Sequence, residues 1–111
     1  MHIAMNIIED RLSAIRQRFE QGTQSRALTL EALIAKANEE PEVARREIGE
    51  FCHSLAGIAG MLGYRDMGEA ASTVDHYARD PVGQIDILLA MAAALAELIH
   101  EVASKGGASA D

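Results

Sequence analysis

The sequence predicts an all-α protein, an antiparallel four-helix bundle whose N-terminal helix can be short or kinked. Apolar residues recur every three to four positions along the chain and nowhere alternate as they would in a β-strand. Glycine and proline divide this pattern into helical segments with short connections, which favours antiparallel packing of neighbours. With 111 residues, of which 49% are hydrophobic, the chain can form one core and is expected to be a single domain.

The first two predicted helices cover about residues 6–38 and 41–62. The apolar residues of the first keep one phase throughout, although Gly22 is a weak helix former and allows a break or kink there. The second begins at Pro41, because proline is favoured in a first helical turn, and it ends before Gly63, a favoured helix-ending residue.

The third predicted helix runs from about residue 66 to residue 79. Asp66 and Glu69 have the spacing of a capping box, in which two side chains satisfy the free amides of a first turn. We therefore expect this pair to open the helix.

The fourth predicted helix begins at Asp80 and Pro81, which resemble an N-cap and first-turn pair, and it ends near Ser104. The segment beyond it is short and rich in small residues, as mobile termini often are. The expected domain therefore spans residues 1–103, and residues 104–111 are expected to be a disordered tail.

Composition argues against several classes of function. The formal net charge is −7 and the ten Lys and Arg residues are scattered, so no basic face for nucleic acid is expected. The longest apolar run, residues 87–96, is far shorter than the ~20 residues that cross a bilayer. The N-terminus lacks the basic region of a signal peptide, and the one cysteine, Cys52, cannot form an internal disulfide. We therefore expect a soluble, cytoplasmic protein without a membrane partner.

His53 is expected to lie on the solvent side of the second predicted helix. At about 100° per residue, His53 falls roughly 200° from the centre of the apolar stripe at Phe51. The stripe consists of Ala44, Ile48, Phe51, Leu55, Ile58 and Leu62. The outer face around His53 carries Gly49, Gly57 and Gly60, with Ala56 nearby and Arg46 two turns upstream.

The bare surface around His53 indicates a docking site. A glycine in a helix interior costs roughly 1 kcal/mol relative to alanine, so three on one outer face suggest a surface cleared for a large partner. An imidazole is substantially neutral near pH 7, and its ring nitrogen can act as a nucleophile without an adjacent base. The simpler alternative is an ordinary exposed histidine beside glycines that serve helix packing.

A metal or cofactor bundle is a second alternative, because His53, His76, His100 and Cys52 could supply ligands. On their predicted helices, however, His76 faces solvent and His100 lies at the edge of the core stripe. The histidines are therefore not expected to converge on one site. We therefore expect neither a metal site nor an intrinsic cofactor.

The segment HSLAGIAGMLG, from His53 to Gly63, continued by YRDMGEAAS, resembles the histidine phosphotransfer (HPt) domain. The family pattern is His-x-Leu-Lys-Gly-x-Ala-x-x-x-Gly, followed by the start of another helix. His53, Gly57 and Gly63 stand at matching positions, and Gly68 follows in the next helix. The motif covers about residues 50–77, and the remaining chain fits the family's four-helix bundle.

The resemblance implies a carrier in a two-component phosphorelay. His53 would accept a phosphoryl group from the phosphoaspartate of one receiver domain, become a phosphohistidine, and donate the group to another response regulator. Receivers of hybrid histidine kinases and response regulators would be transient partners, and they would supply the Mg²⁺. Nothing resembles an ATP-binding kinase domain, so no kinase activity is expected, and whether the carrier counts as an enzyme stays open. Family members of this size are commonly monomers.

By position, the residues expected to dock the receiver are Arg46, Gly49, Glu50, Ala56, Gly57 and Gly60. Ala56 departs from the family, which usually has a lysine there that supports the phosphoryl group electrostatically. Arg46 on the same face is a candidate to compensate, although it could equally form a docking salt bridge. The departure also leaves open a docking-only protein, which would sequester a receiver or kinase without carrying phosphate.

Overall fold

The computed structural model describes residues 2–109, with side-chain surroundings for residues 4–105. Within that range the chain forms five helices and no strand. They are α1 (His2–Gln21), α2 (Thr23–Lys36), α3 (Pro41–Leu62), α4 (Arg65–Arg79) and α5 (Ile85–Ser109). Helices α2 to α5 are joined by short connections and form the bundle, so the predicted all-α four-helix architecture is confirmed.

The predicted first helix is divided only at Gly22. The Gly22 amide donates to the Arg18 carbonyl at 3.1 Å, and the Gly22 carbonyl accepts from the Arg26 amide at 3.0 Å. Helix-type hydrogen bonds therefore meet Gly22 from both sides, while its own backbone, with φ of −89° and ψ of 0°, separates α1 from α2. The side chains of residues 4–18 are exposed, and Phe19 is the first residue of α1 to enter the core.

The ends of α3 agree with the sequence prediction. Pro41 occupies the first turn, and Gly63 ends the helix in a left-handed conformation with φ of 89°. The Tyr64 amide then donates to the Ala59 carbonyl at 2.8 Å, which satisfies a carbonyl of the last turn. Glycine is needed at this position because a side chain would be strained at positive φ.

The predicted capping box of the third helix is wrong. Helix α4 begins one residue earlier, at Arg65, and its N-cap residue Tyr64 makes no side-chain capping bond. Asp66 therefore lies inside the first turn, where its charge favours the positive end of the helix dipole without capping it. Glu69 instead accepts a bond from Arg65 Nε at 3.2 Å.

The predicted start of the fourth helix at Asp80 is also wrong. Asp80 ends α4, and its side chain accepts a bond from the Val82 amide at 3.0 Å, an arrangement typical of a turn. Helix α5 begins only at Ile85. At its other end it extends to Ser109, beyond the predicted end near residue 104. Residues 110 and 111 of the predicted tail lie outside the described residues.

The core lies between α2, α3, α4 and α5. Its largest fully buried side chains are Phe19, Leu30, Ile48, Met67, Leu88, Leu95 and Ile99. On α3 the buried face is centred one position later than the sequence predicts, because Cys52 and Ala59 are fully buried while Phe51 and Ile58 are half-buried. None of the helices in the described range has the length and apolar character needed to cross a membrane.

Candidate functional site

His53 lies in the middle of α3 and projects into solvent. Its side chain is 73% exposed, which agrees with the position expected from the helical periodicity. The neighbouring residue on the inner side, Cys52, is fully buried, so the backbone beneath the imidazole is held by the core. The ring is therefore accessible to a partner while its base is rigid.

Asp75 on α4 is the site residue that sequence reasoning missed. Its carboxylate is buried, and its Oδ2 lies 3.1 Å from His53 Nδ1. A carboxylate only accepts hydrogen bonds, so Nδ1 carries the proton in this contact. In the neutral ring the lone pair is then on Nε2, which has no partner among the described residues and faces outward.

Arg79, one turn after Asp75 on α4, completes a chain of three polar groups. Its Nη2 donates to the same Asp75 Oδ2 at 2.8 Å. The arginine side chain is 61% exposed, so its guanidinium lies at the surface beside the imidazole. The buried negative charge is thus paired on both sides, as buried carboxylates generally require.

The short Asp75 side chain reaches His53 because α3 and α4 pack closely. A Cβ atom at Gly49 would lie 3.3 Å from Ala78 Cβ, and one at Gly68 would lie 3.3 Å from the backbone nitrogen of Gly60. The two glycines therefore allow the helices to approach above and below His53. The close approach brings α4 within hydrogen-bond distance of the imidazole.

The glycines around His53 are of two kinds, which corrects the sequence prediction for Gly49. Gly57 and Gly60 face open space, since a Cβ at either position would meet no atom within 4 Å. Gly49 is buried against Ala78 and is a packing residue, not part of an open docking surface. The core face predicted from the sequence is centred on Phe51, one residue before its centre in the structure. On the predicted face Gly49 lies on the solvent side.

The other residues expected to dock a receiver lie around the imidazole. Arg46 and Glu50 are exposed and form a loose pair with 3.8 Å between Nε and Oε1. Ala56 is half-buried against the core and borders the hollow between α3 and α4. Two surface hollows meet at His53, and both are also lined by Asp75 and Arg79.

The alternative ligands for a metal are not brought together. In the part of the chain that the structure describes, no group of three His, Cys, Asp or Glu side chains could hold a metal ion. His100 instead contacts α2, with its Nε2 3.1 Å from Glu31 Oε1. Burial, with a smaller contribution from the Asp75 charge, raises the pKa of the Cys52 thiol to about 12, so it is a poor nucleophile at neutral pH.

Comparison with protein families decides what kind of site this is. The model of the Hpt domain matches residues 10–105, which covers nearly the whole chain. The chain belongs to the Hpt domain family. Hpt domains function in histidine phosphotransfer within phosphorelays and interact with receiver domains of response regulators. No curated protein and no solved structure matches the chain.

A sequence signal for Asp75 did exist in this Hpt domain. Asp75 is spaced four residues after Ala71 and three before Ala78, both of which are buried on α4. An acidic residue in phase with a buried alanine stripe requires a partner for its carboxylate, because aspartate is almost never fully buried unless it is paired. The sequence alone does not show that the partner is His53, because the two residues lie on different helices.

Proposed function

We propose that this Hpt domain accepts a phosphoryl group on His53 Nε2 from the phosphoaspartate of a receiver domain and passes it to another response regulator. The observation that carries the proposal is the contact between His53 Nδ1 and buried Asp75. It leaves the solvent-facing nitrogen as the nucleophile of a 73% exposed side chain. Neutral imidazole needs no additional base to react in this form.

The proposed step is a displacement at phosphorus. The Nε2 lone pair forms the new N–P bond, the P–O bond to the receiver aspartate breaks, and the aspartate leaves as a carboxylate. The proton on Nδ1 stays in its bond to Asp75, so no proton has to move. The second transfer is the reverse process, with the carboxylate of another receiver attacking the phosphorus and Nε2 leaving as a neutral imidazole nitrogen.

Asp75 has two effects in this proposal. It orients the ring with Nε2 outward, and its negative charge balances the positive charge that the ring gains when Nε2 is phosphorylated and Nδ1 keeps its proton. A phosphoimidazolium is a good phosphoryl donor, because its leaving group is a neutral imidazole. Asp75 therefore favours a phosphohistidine that transfers its group readily.

The docking surface proposed for the receiver is the exposed side of α3 around His53. Gly57 and Gly60 leave the backbone bare, so a partner can approach without meeting side chains. Arg46 and Glu50 lie on the opposite side of His53 along the helix and offer charged contacts. In this proposal the receiver brings the Mg²⁺ of the transfer, and the Hpt domain acts as a monomer in the cytoplasm, where a lone thiol such as Cys52 stays reduced.

The proposal is tested by mixing the purified protein with a phosphorylated receiver domain and Mg²⁺ and measuring its intact mass. We expect a gain of one phosphoryl group that is lost in acid and is absent in His53→Gln. His76→Gln is the matched control, since His76 is an exposed histidine that borders the hollow between α3 and α4 together with His53. Equal labelling of the wild type and His53→Gln would contradict the assignment.

The docking-only alternative gives a different result in the same experiment. It predicts a complex with the receiver, detectable by calorimetry, and no phosphoryl transfer with any receiver that binds. Ala56 is the observation that favours this alternative, because the usual lysine is absent. Whether another residue supplies its charge is therefore the next question.

A further inference from the structure

We propose that Arg79 supplies the positive charge that the lysine usually provides in this family and that Ala56 cannot provide. The inference rests on the proposed function, because it concerns the phosphoryl group carried by His53. Phosphoryl transfer depends on positioning and on neutralising charge at the phosphoryl oxygens. A carrier without a nearby cation would leave a phosphoryl group next to the buried carboxylate of Asp75, and the two would repel.

Arg79 has the right position. Its Nη2 and His53 Nδ1 both bond to Asp75 Oδ2, at 2.8 Å and 3.1 Å. The two nitrogens are therefore no farther apart than these two bond lengths combined. A phosphoryl group on Nε2 would lie on the outer side of the ring, where the 61% exposed arginine side chain can reach it.

Arg79 also has donors to spare. A guanidinium carries five N–H donors, and within the described residues this one makes a single hydrogen bond, to Asp75. It can hold Asp75 with one edge while another edge meets phosphoryl oxygens, and planar guanidinium suits this geometry better than ammonium. Both surface hollows that meet at His53 are lined by Arg79.

Within the described residues, none of the other arginines around the site bonds to Asp75 or His53. Arg45 donates from Nη2 to the Gly83 carbonyl at 2.9 Å, which ties α3 to the connection between α4 and α5. Arg46 pairs with Glu50, and Arg65 pairs with Glu69. Arg46, the candidate from the sequence, forms only a loose exposed pair with Glu50, whereas Arg79 is the arginine bonded to the carboxylate that holds His53.

The test uses inorganic phosphoramidate, a small phosphoryl donor, so that receiver docking does not enter the measurement. In this reaction the donor P–N bond breaks, ammonia leaves and the Nε2–P bond forms. We expect Arg79→Gln to slow phosphorylation of His53 on the order of tenfold, the size of a lost hydrogen bond to a charged group. Arg65→Gln, as the matched control, should stay within about threefold of the wild type, as expected for an exposed ion pair.

A second substitution separates a charge effect from a structural one. Ala56 borders the hollow between α3 and α4 together with His53, so Ala56→Lys places an ammonium beside the ring. We expect Ala56→Lys to restore at least half of the lost rate in Arg79→Gln. The His53 tautomer, measured by ring ¹⁵N NMR, should be the same in the wild type and in Arg79→Gln.

Three results would overturn the inference. An Arg79→Gln rate within threefold of the wild type would show that the cation is dispensable. A slow Arg79→Gln that Ala56→Lys does not rescue and whose His53 tautomer has changed would show that Arg79 acts only by holding Asp75. A wild type that phosphoramidate and phosphorylated receivers both fail to label would overturn the proposed function, and this inference with it.

Discussion

Asp75 is a buried aspartate, and the pairing of its carboxylate with His53 and Arg79 accounts for its burial. Removing one partner of a buried ion pair commonly costs about 3–5 kcal/mol of folding free energy. A buried carboxylate therefore usually keeps its charged partners. Here both partners, His53 and Arg79, bond to one carboxylate oxygen and lie at the surface. The arrangement exposes His53 and Arg79 and buries the carboxylate that orients the imidazole.

Replacing the Asp75 carboxylate should change the His53 tautomer. Asp75→Ala removes the acceptor, so the Nδ1 proton loses its bond and the neutral ring is free to carry the proton on Nε2 instead. We expect transfer to fall on the order of tenfold or more, with Asp75→Asn falling less because its amide oxygen still accepts. Ring ¹⁵N NMR and intact mass measure the two effects.

Glu69→Gln is the control for the Asp75 variants, because Glu69 is an exposed acid on α4 that borders the same hollow. It should leave both the tautomer and the transfer rate unchanged. Finding the wild-type His53 proton on Nε2 would refute the role given to Asp75.

The Cys52 thiol should be unreactive in the folded protein. Burial is the main cause that raises its pKa to about 12, and the nearby Asp75 charge adds to this. Because the thiolate is the reactive form, little of it exists at pH 8. We expect iodoacetamide to label the native protein far more slowly than the protein unfolded in urea, as followed by mass. Equal labelling rates in the two states would refute the prediction.

At the scale of the helices, α3 shows how neighbours displace a face that periodicity predicts. The apolar stripe is centred on Phe51, yet Phe51 is half-buried and Cys52 is fully buried. Helix α3 packs closely against α4 on the side of Gly49 and Gly60, where small residues let the backbones approach. Glycine and alanine add little hydrophobicity to a helix face. The apolar pattern therefore gives too little weight to the face of α3 that packs most closely against α4.

An alanine series should separate open glycines from packing glycines. Gly57→Ala and Gly60→Ala should each raise the free energy of unfolding by up to roughly 1 kcal/mol, because a Cβ meets no atom there and alanine favours the helix. Gly68→Ala should lower it by up to about 2 kcal/mol, because its Cβ would press on the backbone of α3 and the overpacking cost of about 1–3 kcal/mol outweighs the helix gain of about 1 kcal/mol. Urea denaturation measures the difference, and a stabilised Gly68→Ala would contradict the close-packing argument.

Gly57→Leu should separate folding from docking on the same helix. The side chain would enter open space, so we expect helicity and thermal stability close to the wild type. It would also occupy the surface where the receiver approaches, so transfer from a receiver should be blocked while phosphorylation by phosphoramidate persists. Normal transfer from the receiver in this variant would show that the bare surface is not used for docking.

At the scale of the whole molecule, α1 joins the bundle only at its end. The centroids of the Phe19 and Tyr64 rings are 5.0 Å apart, and the Arg26 guanidinium lies over the Phe19 ring, 4.3 Å from its centroid. Tyr64 also donates a hydrogen bond to Glu20, and Arg16 Nε donates to the Leu62 carbonyl at 3.3 Å. This cluster connects the start of the bundle to the turn between α3 and α4.

Alkaline pH should weaken this connection. Burial, followed by the bond to Glu20, raises the pKa of Tyr64 from 10.0 to about 12 in the folded protein. The stability from this contact is therefore fully present below pH 10 and is lost as the pH rises from about 10 through 12. We expect the wild type to lose stability relative to Tyr64→Phe across this range, as measured by urea denaturation at fixed pH. A constant difference between the two proteins from pH 8 to pH 12 would refute it.

The sequence by itself determined the helices and the outward position of His53. Helical period, proline at residue 41 and glycine at residue 63 act through backbone bonds within a few residues, so they can be interpreted locally. The exposed His53 follows from that period alone, because a helix has one buried side. Where local signals were ambiguous, as at Asp66 and Asp80, the predicted starts were wrong, because an acidic residue suits a turn, a cap or a first helical turn alike.

Only the tertiary structure decided what surrounds His53. Asp75 and Arg79 lie on another helix, and their contact depends on how α3 and α4 are rotated and shifted against each other. That register is determined by residues of both helices, among them the small residues Gly49, Ala78 and Gly68. The pattern of residues along one helix does not predict this register, because close packing depends on the two surfaces that meet. The orientation of the imidazole and the position of Arg79 beside it therefore appear only once the bundle is assembled.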